Sequence, residues 1–139
     1  RVLFRSGNFD KEEALELITG RICEVYDVDN CDQILSNIIE RETRLSTGIG
    51  LEVAVPHCRV AGLETLLCGV MLAPAGIEYK SVDGRPVKLV IMLISPADDV
   101  EGHLSALSEI SNAVSDETTR SRILAAKDSS ELYEIIQSL

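Results

Sequence analysis

The chain has 139 residues, 45% of them hydrophobic and 26% charged, and a formal net charge of −10. This acidity argues against binding to nucleic acid, which needs clustered lysine and arginine, and against docking on anionic lipid. No apolar run approaches the roughly 20 residues that span a bilayer, and no secretory signal opens the chain. We therefore expect one cytoplasmic domain over residues 1–139, without membrane insertion. The start at Arg1 is compatible with excision from a longer chain.

The predicted elements run as two helices, a group of strands and three further helices. Apolar residues spaced three and four apart predict a helix that begins after Asn8 or Asp10, and a second helix after a turn at 27–30. Apolar runs predict strands at 2–4, 53–56, 66–73, 77–79 and 87–94, with turns at 74–76 and 83–84. Later apolar stripes predict helices that begin near His103, Thr118 and Ser129. This order predicts a three-layer α/β domain, with helices on both faces of a central sheet.

The only two histidines are candidates for chemistry. His57 follows the predicted strand 53–56, where side chains are held rigidly and face a cleft. An imidazole with an unperturbed pKa of ~6.5 is a neutral nucleophile at cellular pH. His103 stands near a helix start, where the helix dipole favours anions and a neutral imidazole could donate a hydrogen bond to phosphate. Taken alone, a histidine at a strand end more often caps or packs there, and His103 is equally compatible with an exposed residue at a helix start.

Other residues near His57 in the sequence are considered as parts of a site. The segment 47–50 lacks the third glycine of a dinucleotide loop and the ending of a P-loop, so we interpret it as a tight turn that brings backbone close to a site. Arg41, Arg44 and Arg59 could brace an anion or could be solvated surface charges. A protease with Cys58 and His57 is disfavoured, because adjacent strand residues point to opposite faces. No spacing of histidines and cysteines supports a metal site.

These residues carry a resemblance to a known family. The motif Thr47-Gly48-Ile49-Gly50, followed by Ala54-Val55-Pro56-His57, resembles the pattern of the fructose/mannitol-type IIA family of the bacterial sugar phosphotransferase system, which includes the nitrogen-regulatory IIA proteins. Arg41-Glu42, the segment 83–87 and His103-Leu104 extend the similarity over roughly residues 8–139. Cys58 departs from the family pattern, where glycine or alanine is more usual. The resemblance implies an α/β fold, a three-layer α/β/α sandwich with a central mixed β-sheet.

The resemblance also implies a function. His57 would accept a phosphoryl group from HPr or an HPr-like phosphocarrier and pass it to a IIB domain. His103, Arg41 and the loop residues Thr47 and Gly48 would stabilise the phosphoryl group, and no metal or other cofactor is implied. The alternative is a regulatory or sensor module, of the nitrogen-regulatory type or the tail of an ion antiporter, that binds a regulated target protein according to its phosphorylation. A third hypothesis, a small metal-binding or hydrolytic domain, would require bound metal or turnover.

Overall fold

The structure is a computed structural model that describes residues 2–4, 10–44 and 46–138. The predicted cap at Asn8 lies outside the described residues. The helices are α1 (Lys11–Tyr26), α2 (Cys31–Arg44), α3 (Val100–Ser115), α4 (Glu117–Leu124) and α5 (Ser129–Gln137). The strands are β1 (Val2–Phe4), β2 (Gly48–Gly50), β3 (Val53–Ala54), β4 (His57–Val60), β5 (Leu67–Ile77) and β6 (Val87–Pro96). The predicted order of two helices, strands and three helices is confirmed, including the short first strand.

The strands form one mixed sheet in the order β1-β5-β6-β3-β2, with β4 also paired to β6. The two long strands β5 and β6 are antiparallel, while β1 is parallel to β5, and β3 and β4 are parallel to β6. Because β6 is paired on both sides, its apolar residues are buried, as expected of a central strand. The predicted mixed sheet is confirmed.

Each face of the sheet carries its own apolar layer. One layer joins α1 and α2 to the sheet through residues such as Ile18, Ile22 and Ile38, which are fully buried. The other joins α3, α4 and α5 to the opposite face, where Val114 and Leu132 pack against the sheet. The three-layer α/β/α sandwich is therefore confirmed, and the apolar stripes read from the sequence are the surfaces that these helices bury.

Local signals explain where α1 begins. The Asp10 carboxylate accepts a hydrogen bond from the Glu13 backbone N–H at 2.8 Å, and the Glu13 carboxylate accepts one from the Asp10 N–H at 3.2 Å. This reciprocal capping box satisfies two N–H groups that the first helical turn cannot pair internally. The prediction of Asp10 as a helix cap is confirmed.

The turn predicted at 74–76 is wrong, because β5 runs through it to Ile77. The pairing of β5 with β6 shifts register between Leu72 and Ile77, so the segment forms an irregularity within the strand. Pro74 has no N–H for the ladder and Gly76 has a φ of +84°, and both properties suit a bulge. The prediction at 77–79 is also wrong, since only Ile77 belongs to a strand. The turn before β6 is confirmed by the hydrogen bond from Gly84 N–H to the Ser81 carbonyl at 3.0 Å.

The segment 53–60 places His57 in the sheet. The sequence predicts one strand that stops at Pro56, whereas the structure has two short strands that keep the same register on β6, with Val53 opposite Leu89 and His57 opposite Leu93. Pro56 interrupts the ladder but its carbonyl still accepts from the Leu93 N–H at 3.0 Å. His57 is therefore the first residue of β4 and is anchored by the central strand β6.

Candidate active site

A cleft of about 620 Å³ opens where α2, β4 and the start of α3 meet. It brings together residues that are far apart in the sequence. Its charged, imidazole and apolar side chains include Arg41, Arg44, His57, Arg59, His103 and Leu104. The two histidines and Arg41, which the sequence analysis selected, therefore share one cleft.

The His57 ring is oriented by a backbone group. Its Nδ1 lies 2.8 Å from the carbonyl oxygen of Val55. A carbonyl oxygen only accepts hydrogen bonds, so in this contact Nδ1 carries the proton and donates it. The neutral ring then holds its lone pair on Nε2, the nitrogen that Val55 does not contact. The ring is half-buried, which leaves Nε2 as a nucleophile that a reacting partner can reach.

The His103 ring is held in a different way. It is only 8% exposed, and its Nδ1 lies 2.7 Å from the hydroxyl oxygen of Ser95, a residue of β6 that is fully buried. Burial lowers the pKa of His103 below its usual value, and the neighbouring His57 and Arg59 lower it further. The ring is therefore neutral at cellular pH, with one nitrogen protonated.

The two rings lie next to each other. Their centroids are 5.4 Å apart and their planes are inclined by 55°. A group bonded to His57 Nε2 would therefore be close to the His103 ring. Since His103 is neutral, it does not repel a positive charge that develops on His57 during bond formation. Its remaining nitrogen can donate a hydrogen bond to an oxygen bound at His57, provided that this nitrogen carries the proton.

The cleft concentrates positive charge on an acidic protein. Arg41, Arg44 and Arg59 all line it, and Glu40 is the one carboxylate among the described residues that line it. Arg44 pairs with Glu40 at 2.8 Å, and both side chains are exposed. Guanidinium groups at the rim favour an anion in the cleft because they offer several N–H donors in a planar fork. The overall charge of −10 therefore does not describe the surface around His57.

Thr47 and Gly48 do not line this cleft in the structure. Thr47 is buried, and its hydroxyl contacts the Glu42 carboxylate and lies 3.1 Å from the Tyr79 hydroxyl. Its carbonyl accepts a hydrogen bond from the Val55 N–H at 3.1 Å. The loop thus contacts the residue whose carbonyl orients His57, rather than the space in front of the ring. Gly48 packs so tightly on Ser81 that a Cβ there would lie 2.3 Å from the Ser81 Oγ.

Glu42 anchors that loop from the last turns of α2. The Lys11 ammonium lies 2.8 Å from one carboxylate oxygen, and the Tyr79 hydroxyl donates to the other at 3.0 Å. The Thr47 backbone N–H also donates to Glu42, at 3.2 Å. Burial and the adjacent carboxylate raise the pKa of Tyr79, so its hydroxyl stays protonated and remains a donor. The carboxylate is buried with several donors around it, which is the arrangement that a buried charge requires.

Cys58 lines the cleft beside His57, but its thiol is poorly reactive. Burial raises the pKa of the Cys58 thiol to about 11, so the thiolate is scarce at neutral pH. The thiolate is the reactive form of cysteine, and the Cys–His protease hypothesis therefore gains no support from this site. Cys58 also packs against the apolar layer under α1 and α2, while the neighbouring His57 faces His103.

The described residues, which leave out 1, 5–9, 45 and 139, contain neither a cluster of metal ligands nor a membrane-spanning helix. Within them, no group of three or more His, Cys, Asp and Glu side chains is gathered as a set of metal ligands. Within them, no helix is both long enough and apolar enough to cross a membrane.

Three groups that orient the predicted residues were not identified from the sequence. The Val55 carbonyl carries no side-chain signal and could not be selected from the sequence. Ser95 was detectable in principle, because a hydroxyl at the end of the apolar run 87–94 is an unexpected polar residue on a central strand. Glu42 was noted only as a neighbour of Arg41, since charges on a helix are usually solvated.

The chain is similar to proteins of known family. The family model described as "Phosphoenolpyruvate-dependent sugar phosphotransferase system, EIIA 2" matches residues 2–139. A nitrogen regulatory protein of Pseudomonas aeruginosa is 30% identical over 126 residues, covering 91% of this chain and 82% of the relative. A fructose-specific EIIA component of Haloferax volcanii is 28% identical, also over 126 residues, with the same two coverages.

Solved structures agree on the fold. The nitrogen regulatory protein IIA-Ntr of Neisseria meningitidis superposes with a TM-score of 0.85 at 24% identity, covering 97% of this chain and 91% of that one. Enzyme IIA for mannitol of Escherichia coli, solved in complex with phosphorylated enzyme IIB, gives a TM-score of 0.74 at 20% identity, covering 99% and 94%. With a family model that spans nearly its whole length, the chain belongs to the EIIA 2 family of the phosphoenolpyruvate-dependent sugar phosphotransferase system.

Proposed function

We propose that the chain, as one domain over residues 1–139, carries a phosphoryl group on Nε2 of His57. The observation that carries this proposal is the hydrogen bond from His57 Nδ1 to the Val55 carbonyl at 2.8 Å. It commits the ring to the tautomer with its lone pair on Nε2, the nitrogen required for attack on phosphorus. The ring is half-buried and lines an open cleft, which a partner's phosphohistidine would enter.

The reaction is an exchange of one nitrogen–phosphorus bond for another. The Nε2 lone pair of His57 attacks the phosphorus of the donor's phosphohistidine, and the donor nitrogen leaves with the electron pair of the broken bond. Positive charge develops on the His57 ring, and the Val55 carbonyl stabilises it through Nδ1–H. The second transfer, to the recipient, reverses these roles.

Charge stabilisation comes from the cleft. Phosphoryl transfer depends on in-line positioning and on stabilising the equatorial oxygens, with little covalent assistance. His103 lies beside His57, and Arg41 lines the same cleft, so both are placed to share the negative charge. Arg44 and Arg59 add positive potential at the rim. Thr47 contributes through the hydrogen bond from the Val55 N–H to its carbonyl, and Gly48 pairs with Ala54 in the sheet, so neither residue contacts the phosphate directly.

The partners are part of the same proposal. The donor is HPr or an HPr-like phosphocarrier, and the recipient is a IIB domain, the partner that the mannitol relative was solved with. Val100 and Leu104 line the cleft and are 50% and 59% exposed, so they offer a small apolar contact beside the reactive ring. A modest surface of this kind suits transient docking in the cytoplasm. The acidic net charge disfavours nucleic acid as a partner.

A regulatory role is the second candidate, and it is supported by the relative from Pseudomonas aeruginosa, which is a nitrogen regulatory protein. In that role the phosphoryl group on His57 would act as a mark. It would add negative charge to the cleft between three arginines and change binding to a regulated target protein, or to the rest of an ion antiporter of which this chain would be the tail. Neighbouring genes that encode IIB and IIC components would favour transport, and an antiporter or sigma-factor context would favour regulation.

Intact mass spectrometry tests the proposal. The chain is incubated with phosphoenolpyruvate, enzyme I and HPr, alongside a His57→Ala variant. We expect one acid-labile phosphoryl group on the wild type and none on the variant. A wild-type chain that stays unlabelled with both the sugar-branch and the nitrogen-branch carriers would refute phosphoryl carriage. Labelling that persists in the variant would refute the assignment to His57.

A further inference from the structure

Ser95 is a buried polar residue that the proposed reaction does not use directly. Its hydroxyl lies at the end of β6, is fully buried, and is 2.7 Å from Nδ1 of His103. Among the described residues, this is the only hydrogen bond recorded for the Ser95 side chain. A hydroxyl can donate or accept, so the contact alone permits two arrangements of protons.

The surroundings distinguish these two arrangements. If His103 Nδ1 donated to Ser95, the serine hydrogen would be left in a buried site without an acceptor, which is unfavourable. If Ser95 donates to Nδ1, the serine hydrogen is used and the single proton of the neutral ring must reside on Nε2. The second arrangement therefore satisfies both partners.

We propose that Ser95 is a positioning residue that holds His103 in the Nε2–H form, so that this ring donates a hydrogen bond to a phosphoryl oxygen on His57. This inference rests on the proposed function of His57. The two neighbouring rings then have opposite tautomers. His57 presents a lone pair and His103 presents an N–H, so attack and charge stabilisation are divided between two neutral imidazoles.

The division has a consequence for transfer. With the alternative tautomer, His103 would turn a lone pair toward the phosphoryl oxygens and would repel them. Removing the serine hydroxyl frees the ring to exchange tautomers and to rotate. A hydrogen bond that orients a group in the transition state typically changes the rate by about tenfold.

Nitrogen-15 NMR of the full chain reads the tautomers directly. Two histidines give two ring patterns, which a His57→Gln variant assigns. At about pH 8, above the usual imidazole pKa, we expect a protonated Nε2 and an unprotonated Nδ1 for His103 in the wild type. The opposite pattern would overturn the proposal. This NMR measurement uses the unphosphorylated chain, so it requires neither a folded Ser95 variant nor a phosphoryl donor.

Kinetics complete the test through Ser95→Ala. We expect a mixed tautomer pattern for His103 and a rate of phosphoryl uptake about tenfold lower, with His57 still the labelled residue. Thr19→Val is the matched control, because it removes another fully buried hydroxyl that contacts β6, at 3.3 Å from the Met92 sulfur, and Thr19 does not line the cleft. It should change neither reading.

The outcomes separate the two proposals. Unlabelled wild-type protein would refute phosphoryl carriage while the NMR pattern still reports on Ser95. Labelled wild type with a Ser95→Ala chain of unchanged rate, or of lower rate with an unchanged tautomer pattern, would overturn the role of Ser95 and leave that of His57 intact.

Discussion

The two histidines lie in one cleft but belong to different parts of the fold. His57 opens a strand anchored on β6 and is oriented by a backbone carbonyl, whereas His103 lies in the first turns of α3 and is oriented by the Ser95 hydroxyl. A carbonyl only accepts, so it fixes one tautomer by itself, while a hydroxyl fixes a tautomer only through its surroundings. In the proposed reaction, chemically identical side chains thus take different roles because of what their Nδ1 atoms contact.

The difference extends to the supporting residues. Three successive hydrogen bonds support His57. They join Glu42 to Thr47, the Thr47 carbonyl to the Val55 N–H, and the Val55 carbonyl to the His57 ring. Behind His103 stand Ser95 and the cap of α3, where Asp99 accepts from the Gly102 N–H at 3.0 Å. Each support can be changed separately, so the comparison can be tested one side at a time.

Removing each ring should give the largest contrast. His57→Ala should abolish phosphoryl uptake, because no other nitrogen in the cleft has the same exposed lone pair. His103→Ala should keep the label on His57 but slow its formation by about 100-fold, the usual cost of one lost donor to a developing charge. Rapid-quench labelling followed by intact mass measures both. Equal loss in the two variants would contradict the division of roles.

Glu42→Gln should weaken the support behind His57. The variant leaves the Lys11 ammonium without its carboxylate and loses part of the acceptor capacity around Thr47. We expect the free energy of unfolding to fall by about 2 kcal/mol. This is less than the cost of breaking a fully buried ion pair, because Lys11 is partly exposed. Urea denaturation measures this loss. Glu24→Gln, which removes the exposed pair with Arg21, is the matched control and should cost less than about 0.5 kcal/mol.

Gly102→Ala should weaken the support behind His103. A Cβ at Gly102 would lie 2.2 Å from an Asp99 carboxylate oxygen, so the capping side chain must move. Loss of a helix cap costs about 1 kcal/mol, which offsets the gain in helix propensity that alanine brings, so thermal unfolding should show no net stabilisation. In the control Gly20→Ala, a Cβ meets nothing within 4 Å in the middle of α1. That variant should gain about 0.5–1 kcal/mol, so equal shifts in both variants would contradict the crowding at Asp99.

The smallest expected effect is the contribution of His103 to the pH dependence of the free energy of unfolding. Its pKa is lower in the folded chain than in the unfolded chain, chiefly through burial. The unfolded state therefore binds more protons as the pH falls below ~6.5, and stability declines from there toward the folded pKa. His103→Gln should flatten this part of the profile. Parallel urea titrations between about pH 7 and 5 compare the two chains, and identical slopes would show that His103 is not held neutral.

Local sequence signals were sufficient for most of the fold. The periodicity of Ile18, Ile22 and Ile38 predicted helical faces that are buried, and the apolar run 87–94 predicted the central strand. The prediction failed at 74–76, where proline and glycine indicate a turn but are absorbed as an irregularity within β5. Pairing with β6 on both sides of this segment outweighs the local preference, and pairing partners are not visible in a local pattern.

The sequence by itself determined which residue types are available for chemistry: two histidines, arginines close to one of them, and the motif that places the chain in its family. Only the tertiary structure decided what each does, because roles depend on contacts between segments distant in the chain. Ser95 contacts His103 across the boundary between strand and helix, and Thr47 bonds to Val55 while neither Thr47 nor Gly48 lines the cleft. Hydrogen bonds act over about 3 Å, so residue roles are assigned by packing in three dimensions rather than by proximity in sequence.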